Sequence, residues 1–191
     1  MPATPDSSSE ALRAGEIVFV TVGTTDFDPL LRAADEAAPR LGLPVEFQIG
    51  IGAYEPKNGP WVRHTSSLDP YYDRAKVVVA HGGAGTILEV LRRGIPLVSA
   101  ENPDRPDRHQ RDLIGHMAEQ GRLIWCEDLD RLDQAVAAAL AMPRPEPLVT
   151  PPPLVHRVVG EFLDAIARRE DPRAVARRWR GGRLDPEKNG S

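Results

Sequence analysis

The sequence predicts an α/β fold, a Rossmann-like parallel sheet with helices on both faces, and three observations carry that prediction. Apolar, largely β-branched runs recur along the chain: Ile17-Val18-Phe19-Val20, Val77-Val78-Val79 and Ile95-Pro96-Leu97-Val98. None shows the polar alternation of a half-exposed strand, so each needs cover on both faces, as in parallel sheets. Helical stretches separate the runs, the alternation that builds β-α-β units. One run also leads directly into a glycine-rich turn that opens a helix, His81-Gly82-Gly83-Ala84-Gly85-Thr86. Such a turn lies at the carboxyl end of its strand, where open α/β sheets bind ligands.

Each element follows in order. Residues 1–15, which include MPATPDSSSE, are rich in proline and serine and are expected to be disordered. Ile17 to Val22 reads as the first buried strand. Asp28 and Pro29 read as N-cap and first helical position of a helix reaching about Leu41. Val45 to Ile51 forms a second strand, and a Gly/Pro/Asn loop precedes a short strand over Trp61 to His64. Asp69 to Arg74 is a short helix, Lys76 to Ala80 the central strand, and a helix starts near Gly85. Ile95 to Ala100 is the next strand, then come a helix from about Arg108 to Glu119 and a strand from Leu123 to Cys126. The alanine-rich helix Leu132 to Met142 closes a folded unit over residues 16–142.

Residues 143–153 hold Pro143, Pro145, Pro147, Pro151, Pro152 and Pro153 and predict a semi-rigid spacer. Beyond it Val155, Val158, Val159, Phe162, Leu163 and Ile166 fall at helical spacing, predicting an amphipathic helix within residues 154–180. Trp179 lies among the arginines of this stretch, a combination suited to solvent or to an anionic membrane surface. Residues 181–191 are expected to be a disordered tail.

The 191 residues, 41% hydrophobic and 27% charged, suffice for one domain with a real core. A net charge of −4 argues against nucleic acid as a partner. The single cysteine, Cys126, excludes an internal disulfide framework and suits a reducing cytoplasm, and it reads as an inert strand residue. No signal-peptide pattern or bilayer-length apolar run is visible, so a cytoplasmic location is expected. No grouping of His, Cys or carboxylates has metal-ligand spacing.

The chemistry concentrates at the glycine turn. Gly82, Gly83 and Gly85 permit tight bending and close approach of a ligand, and the helix that follows directs unpaired N–H groups and a partial positive charge at it. Together these predict an anion site suited to phosphate. Glu89, a turn into the helix, is placed to reach hydroxyls beside the phosphates. Taken alone, Glu89 also reads as a solvated acid complementing the helix dipole. His81 reads as a strand-end residue beside the turn, and Asp26 and Asp28 as helix-capping residues.

Four segments, in order and near the expected spacing, then carry a resemblance: Phe19 to Asp28 (FVTVGTTDFD), His81 to Thr86 with Glu89, Gly94-Ile95-Pro96-Leu97, and His109-Gln110. Over roughly residues 16–140 the chain resembles the C-terminal, donor-binding domain of family 28 glycosyltransferases, a single GT-B-type domain. Within that family it is similar to the small catalytic subunit of the two-part N-acetylglucosaminyltransferase of dolichol-linked oligosaccharide synthesis and to bacterial exopolysaccharide relatives. The resemblance implies that Gly82, Gly83, Ala84, Gly85 and Thr86 cradle the diphosphate of a UDP-sugar, with Gly23, Thr24 and Thr25 lining the cleft near it. It implies ribose binding by Glu89, sugar contacts from His109 and Gln110, and uracil binding around Thr65, Ser66, Ser67 and Leu68. The UDP-sugar is then a substrate, with N-acetylglucosamine the favoured sugar, and inverting transfer needs no cofactor and no metal.

The acceptor domain that two-domain relatives carry is expected on a separate, membrane-attached partner subunit, which would recruit this chain to the cytoplasmic membrane face. That partner would also carry the catalytic base, with His81 and Asp26 the candidates within this chain. A non-catalytic nucleotide-sugar-binding subunit and a nucleotide-sugar 2-epimerase relative are the alternatives. A dinucleotide-dependent oxidoreductase is rejected: Glu101 and Gly83-Ala84-Gly85 imitate that fingerprint, but its third glycine falls on Leu88 and the turn follows the fourth strand.

Overall fold

The computed structural model describes residues 15–104 and 109–149. Its strands are β1 (Ile17–Thr21), β2 (Val45–Gln48), β3 (Trp61–Val62), β4 (Ala75–His81), β5 (Leu97–Ala100) and β6 (Ile124–Trp125). They form one six-stranded sheet in the order β3-β2-β1-β4-β5-β6, parallel throughout. Every residue of β1 is buried, as its unbroken apolar run requires. The chain order reverses between β1 and β4, so their carboxyl ends flank the topological switch point of the sheet.

Among the described residues five α-helices cover both faces: α1 (Asp28–Ala37), α2 (Asp69–Tyr72), α3 (Ala84–Arg92), α4 (His109–Glu119) and α5 (Leu132–Ala141). Strand alternation divides the core in two. Val18, Val20, Val77, Val79 and Val98 face Leu30, Leu31 and Ala34 of α1 and Val136 and Ala139 of α5. Ile17, Phe19, Val78, Ala80 and Leu97 face Tyr72 of α2, Ile87, Val90 and Leu91 of α3, and Ile114 of α4.

Element order is as the sequence predicts, and several boundaries move for identifiable reasons. β2 stops at Gln48 rather than Ile51, because Gly50 adopts φ +57° and turns the chain beneath the loop after β1. A Cβ on Gly50 would stand 2.1 Å from the Thr25 carbonyl oxygen, so this turn accepts only glycine. β5 begins at Leu97 rather than Ile95, since Pro96 has no N–H for the ladder. α1 ends at Ala37 and tightens into a 3₁₀ turn over Ala38–Arg40, where Pro39 removes a helical donor. Asp28 is not an N-cap: Phe27 holds that position, and Asp28 lies inside the helix. Its Oδ2 accepts instead from the backbone N–H groups of Ala53 and Tyr54, at 3.1 Å each, and ties down the loop after β2.

Beyond α5 the described chain is neither helix nor strand. Arg144 Nε donates to the Gly94 carbonyl (3.0 Å) and the Leu148 amide to the Leu91 carbonyl (2.9 Å), which lays these residues over the end of α3. The described residues up to Leu148 group as one compact unit. The expected N-terminal disordered segment except Gly15, spacer residues 150–153, the helix within 154–180 and the tail 181–191 lie outside the described residues. No helix among the described residues is long and apolar enough to cross a membrane.

Candidate functional site

The turn between β4 and α3 takes its shape from crowding beneath it. None of Gly82, Gly83 and Gly85 has positive φ. A Cβ on Gly83 would stand 2.3 Å from His81 Nε2, and one on Gly82 2.7 Å from Ile114 Cδ1 and 2.9 Å from Gln110 Cβ. Two glycines therefore let the turn settle onto the His81 ring and onto α4. Gly85 differs: a Cβ there meets nothing within 4 Å, because its α-carbon faces open space above the turn. The N-cap of α3 is Gly83, and no side chain caps the helix. The first intrahelical bond of α3 runs from the Ile87 amide to the Gly83 carbonyl (3.0 Å). The amides of Ala84, Gly85 and Thr86 precede that bond and sit at the positive end of the helix dipole.

The loop after β1 comes to the same place. A Cβ on Gly23 would lie 3.1 Å from His81 Cε1 and 3.8 Å from Thr86 Oγ1, so Gly23 packs against the turn after β4. Two buried amides that sequence reasoning missed hold this loop. Gln48 Nε2 donates to the Gly23 carbonyl (2.7 Å) and to the Arg63 carbonyl (2.8 Å), while its Oε1 accepts from the Thr21 hydroxyl (2.6 Å). Asn102 Nδ2 donates to the Asp26 carbonyl (2.9 Å). With the Gly23 carbonyl drawn down to Gln48, the Thr24 N–H of that peptide plane points the opposite way. The signal available for Gln48 was a polar residue closing a strand, Val45-Glu46-Phe47-Gln48, in which apolar and polar residues alternate.

Glu89 lies on the exposed side of α3, beside an open groove of about 410 Å³ lined by Gly85, Glu89, Arg92 and Arg93. Its Oε2 is 3.5 Å from the Tyr72 hydroxyl and its Oε1 3.6 Å from Arg93. Thr65, Ser66, Ser67 and Leu68 form the loop into α2: the Thr65 hydroxyl donates to the Ser67 carbonyl (3.0 Å), and Leu68 packs into the core. Gln110 brings the start of α4 against Gly82, and its Oε1 is buried with no hydrogen-bond partner among the described residues. Of His109 only its place at the start of α4 is described. His81 is buried between Gly23 and Gly83, and Asp26 is exposed on the β1 loop. Glu101, the acid of the rejected dinucleotide fingerprint, pairs with Arg111 at 3.2 Å. Burial holds the Cys126 thiol above its ordinary pKa and so keeps it protonated. Among the described residues no three His, Cys, Asp or Glu side chains are placed so that they could hold a metal ion.

The structure thus brings the β1 loop and the start of α4 against the β4 turn, and Glu89 borders a groove that Gly85, at the start of α3, also lines. Similar proteins share the sequence and the fold. The chain is 34% identical over 126 residues to the human (Homo sapiens) UDP-N-acetylglucosamine transferase subunit ALG13, a match covering 57% of this chain and 11% of the relative. It is 35% identical over 97 residues to the ALG13 subunit of Eremothecium gossypii, covering 50% of this chain and 45% of the relative. The chain therefore spans less than half the length of either. The crystal structure of the kitacinnamycin glycotransferase superposes with a TM-score of 0.55 at 25% identity, covering 87% of this chain and 43% of that one. The model of the glycosyltransferase family 28 C-terminal domain matches residues 17–146, from the first strand to just past the last helix, and the chain belongs to that family.

Proposed function

We propose that this chain is the donor-binding, catalytic subunit of a two-component inverting glycosyltransferase. It takes a UDP-sugar, with N-acetylglucosamine the favoured sugar, and transfers the sugar to a membrane-linked acceptor held by a separate, membrane-attached partner. The observation that carries this reading is the uncapped start of α3 beneath an unobstructed Gly85, with the β1 loop packed beside it. The amides of Ala84, Gly85 and Thr86 suit a diphosphate, as do those of the β1 loop at Gly23, Thr24 and Thr25. As the bond from the anomeric carbon to the diphosphate breaks, negative charge grows on the leaving oxygen. Fixed amide dipoles there favour that charge without reorganising, which is electrostatic preorganisation.

The remaining roles follow from position. Glu89 accepts from the ribose hydroxyls, and the loop Thr65–Leu68 receives uracil. Gln110, with an unsatisfied buried oxygen beside Gly82, takes a hydroxyl or amide of the sugar, and His109 lies next to it in sequence. The base that deprotonates the acceptor resides on the partner, with Asp26 the exposed candidate on this chain and His81 the buried one. A cytoplasmic protein brought to the membrane face by its partner fits this division, and the relatives named as transferase subunits support it.

Calorimetric titration of the full chain with UDP and UDP-N-acetylglucosamine tests the site, with Glu89→Ala alongside. Both ligands are expected to bind, and the variant to weaken binding about tenfold, or about 1.4 kcal/mol. Equal affinity in the variant would remove Glu89 from the site. Absence of UDP binding to the wild-type chain would overturn the donor-binding reading.

A further inference from the structure

Arg93, the C-cap of α3, stands one helical turn beyond Glu89 and has no part in the roles assigned above. Its guanidinium is 3.6 Å from Glu89 Oε1, pairs closely with Asp69 Oδ1, and lies 3.9 Å from Asp73 Oδ1. It also stacks over the Tyr72 ring, 4.9 Å from the centroid, and the hydroxyl of that ring is the group 3.5 Å from Glu89 Oε2. Both oxygens of Glu89 thus face groups on one scaffold. Asp69 is fixed in turn: the Ser67 hydroxyl donates to its Oδ2 (2.8 Å), its own amide donates to Ser67 Oγ (3.1 Å), and the Thr65 hydroxyl bonds the Ser67 carbonyl. An unbroken path runs from the loop over residues 65–68 through Asp69 and Arg93 to Glu89.

We infer that Arg93 is a positioning residue that fixes the Glu89 carboxylate relative to the loop over residues 65–68, and so sets how strongly the site distinguishes ribose from deoxyribose nucleotides. The inference rests on the reading of Glu89 as the ribose acceptor. Arg93 stands among three carboxylates, Asp69, Asp73 and Glu89. With it they converge; without it they repel, and Glu89 swings outward along the open groove. Isolated exposed ion pairs of this kind contribute little to folding, so the expected consequence is orientation rather than stability. Tyr72 supports it as a lasting donor, because burial and the neighbouring Glu89 charge push its hydroxyl pKa well above the ordinary value. The Ser67 and Arg93 hydrogen bonds hold the Asp69 carboxyl below its ordinary range, so it stays ionised toward Arg93.

The test compares UDP with 2′,3′-dideoxy-UDP by calorimetry on the full chain, for wild type, Glu89→Ala, Arg93→Ala and Arg93→Lys. Wild type is expected to prefer UDP about tenfold, as a charged hydrogen-bond acceptor for two hydroxyls warrants. Glu89→Ala abolishes the preference, Arg93→Ala cuts it to about threefold or less, and Arg93→Lys restores part of it, since the charge returns without the planar fork. Thermal melts confirm that the variants fold. Equal weakening of both ligands by Arg93→Ala, with the preference intact, would assign Arg93 a merely structural role and overturn the inference. If Glu89→Ala also keeps the preference, Glu89 is not the ribose acceptor and the inference falls with that reading. UDP binding that persists in every variant would still leave the donor-site reading standing.

Discussion

The turn between β4 and α3 and the loop after β1 meet over one crevice, yet they hold their shapes by different means. The β4 turn is shaped by packing: Gly82 and Gly83 lack side chains and press onto His81 and onto Ile114 and Gln110 of α4, and the helix that follows supplies its donors. The β1 loop has local bonds, from the Thr25 hydroxyl (2.9 Å) and amide (3.3 Å) to the Val22 carbonyl and from the Gly23 amide to Thr21 Oγ1 (3.2 Å), but the Gly23 and Asp26 carbonyls depend on side chains from elsewhere. Its carbonyls are held from one side by Gln48 at the end of β2 and from the other by Asn102 after β5. A ligand surface is therefore assembled from one half shaped by packing and one half that borrows part of its rigidity from buried amide side chains at the ends of other strands. The two halves should fail differently when altered.

Gln48→Leu tests the borrowed half and carries the largest expected effect. Gln48 is nearly fully buried, and its loss takes the Gln48 donor from the Gly23 carbonyl and the acceptor from the Thr21 hydroxyl, while the Arg63 carbonyl keeps the Gly50 amide (3.2 Å). Each unsatisfied buried group costs roughly 1–3 kcal/mol. A net loss of about 3 kcal/mol is expected after partial re-pairing, read as a lower urea midpoint at unchanged slope. A cost below about 1 kcal/mol would mean that the β1 loop holds itself, and the contrast between the halves would vanish.

Gly85→Ala tests the half shaped by packing, with opposite signs for folding and binding. The new Cβ meets nothing in the free protein, and alanine is the better helix former, so stability should rise by about 0.5–1 kcal/mol. The same methyl group enters the space above the α3 amides, and UDP affinity should fall about tenfold or more, over 1.4 kcal/mol. Higher stability with unchanged UDP affinity would place the diphosphate elsewhere.

This difference also explains what could be read from the sequence. Strand and helix order, the parallel sheet and the switch-point crevice were legible because their signals are local: buried β-branched runs, and a glycine turn opening a helix. The glycines were legible as glycines but not in their reasons, since Gly82 and Gly83 serve by crowding rather than by positive φ. Gln48 and Asn102 were not legible, because the carbonyls they serve lie 25 and 76 residues away. Asp28 shows the same limit from the other direction. Its position before Pro29 fits a cap, but the sheet brings the backbone of Ala53 and Tyr54 to its carboxylate, and tertiary geometry overrides the local preference. Glu89 was visible by its place on α3, whereas Arg93 gains meaning only once α2 delivers Asp69 and Tyr72 to it.

A third tether separates charge from amide as a means of holding loops, and it carries the smallest expected effect. Asp35 on α1 is buried; its carboxylate accepts from the Tyr54 hydroxyl (2.7 Å), the Asn58 amide (2.7 Å) and the Lys57 amide (3.0 Å). Burial would raise its pKa, but the Lys57, Tyr54 and Asn58 hydrogen bonds together outweigh burial and hold it below the ordinary value of 3.8. With the folded pKa below the unfolded one, ionised Asp35 contributes its full stabilisation above pH 3.8 and loses it as pH falls through the lower folded value. The amide tethers of Gln48 and Asn102 have no titration in that range. Hydrogen-exchange protection at Lys57 and Asn58 should therefore drop on acidification below pH 3.8, while protection at Val22 and Thr25 holds. Asp35→Asn should make the acid response of Lys57 and Asn58 match that of Val22 and Thr25. Parallel loss at all four amides in the wild-type chain would instead mean that acid opens the sheet edge and the β1 loop as one unit, and that the two ways of holding a loop are not independent here.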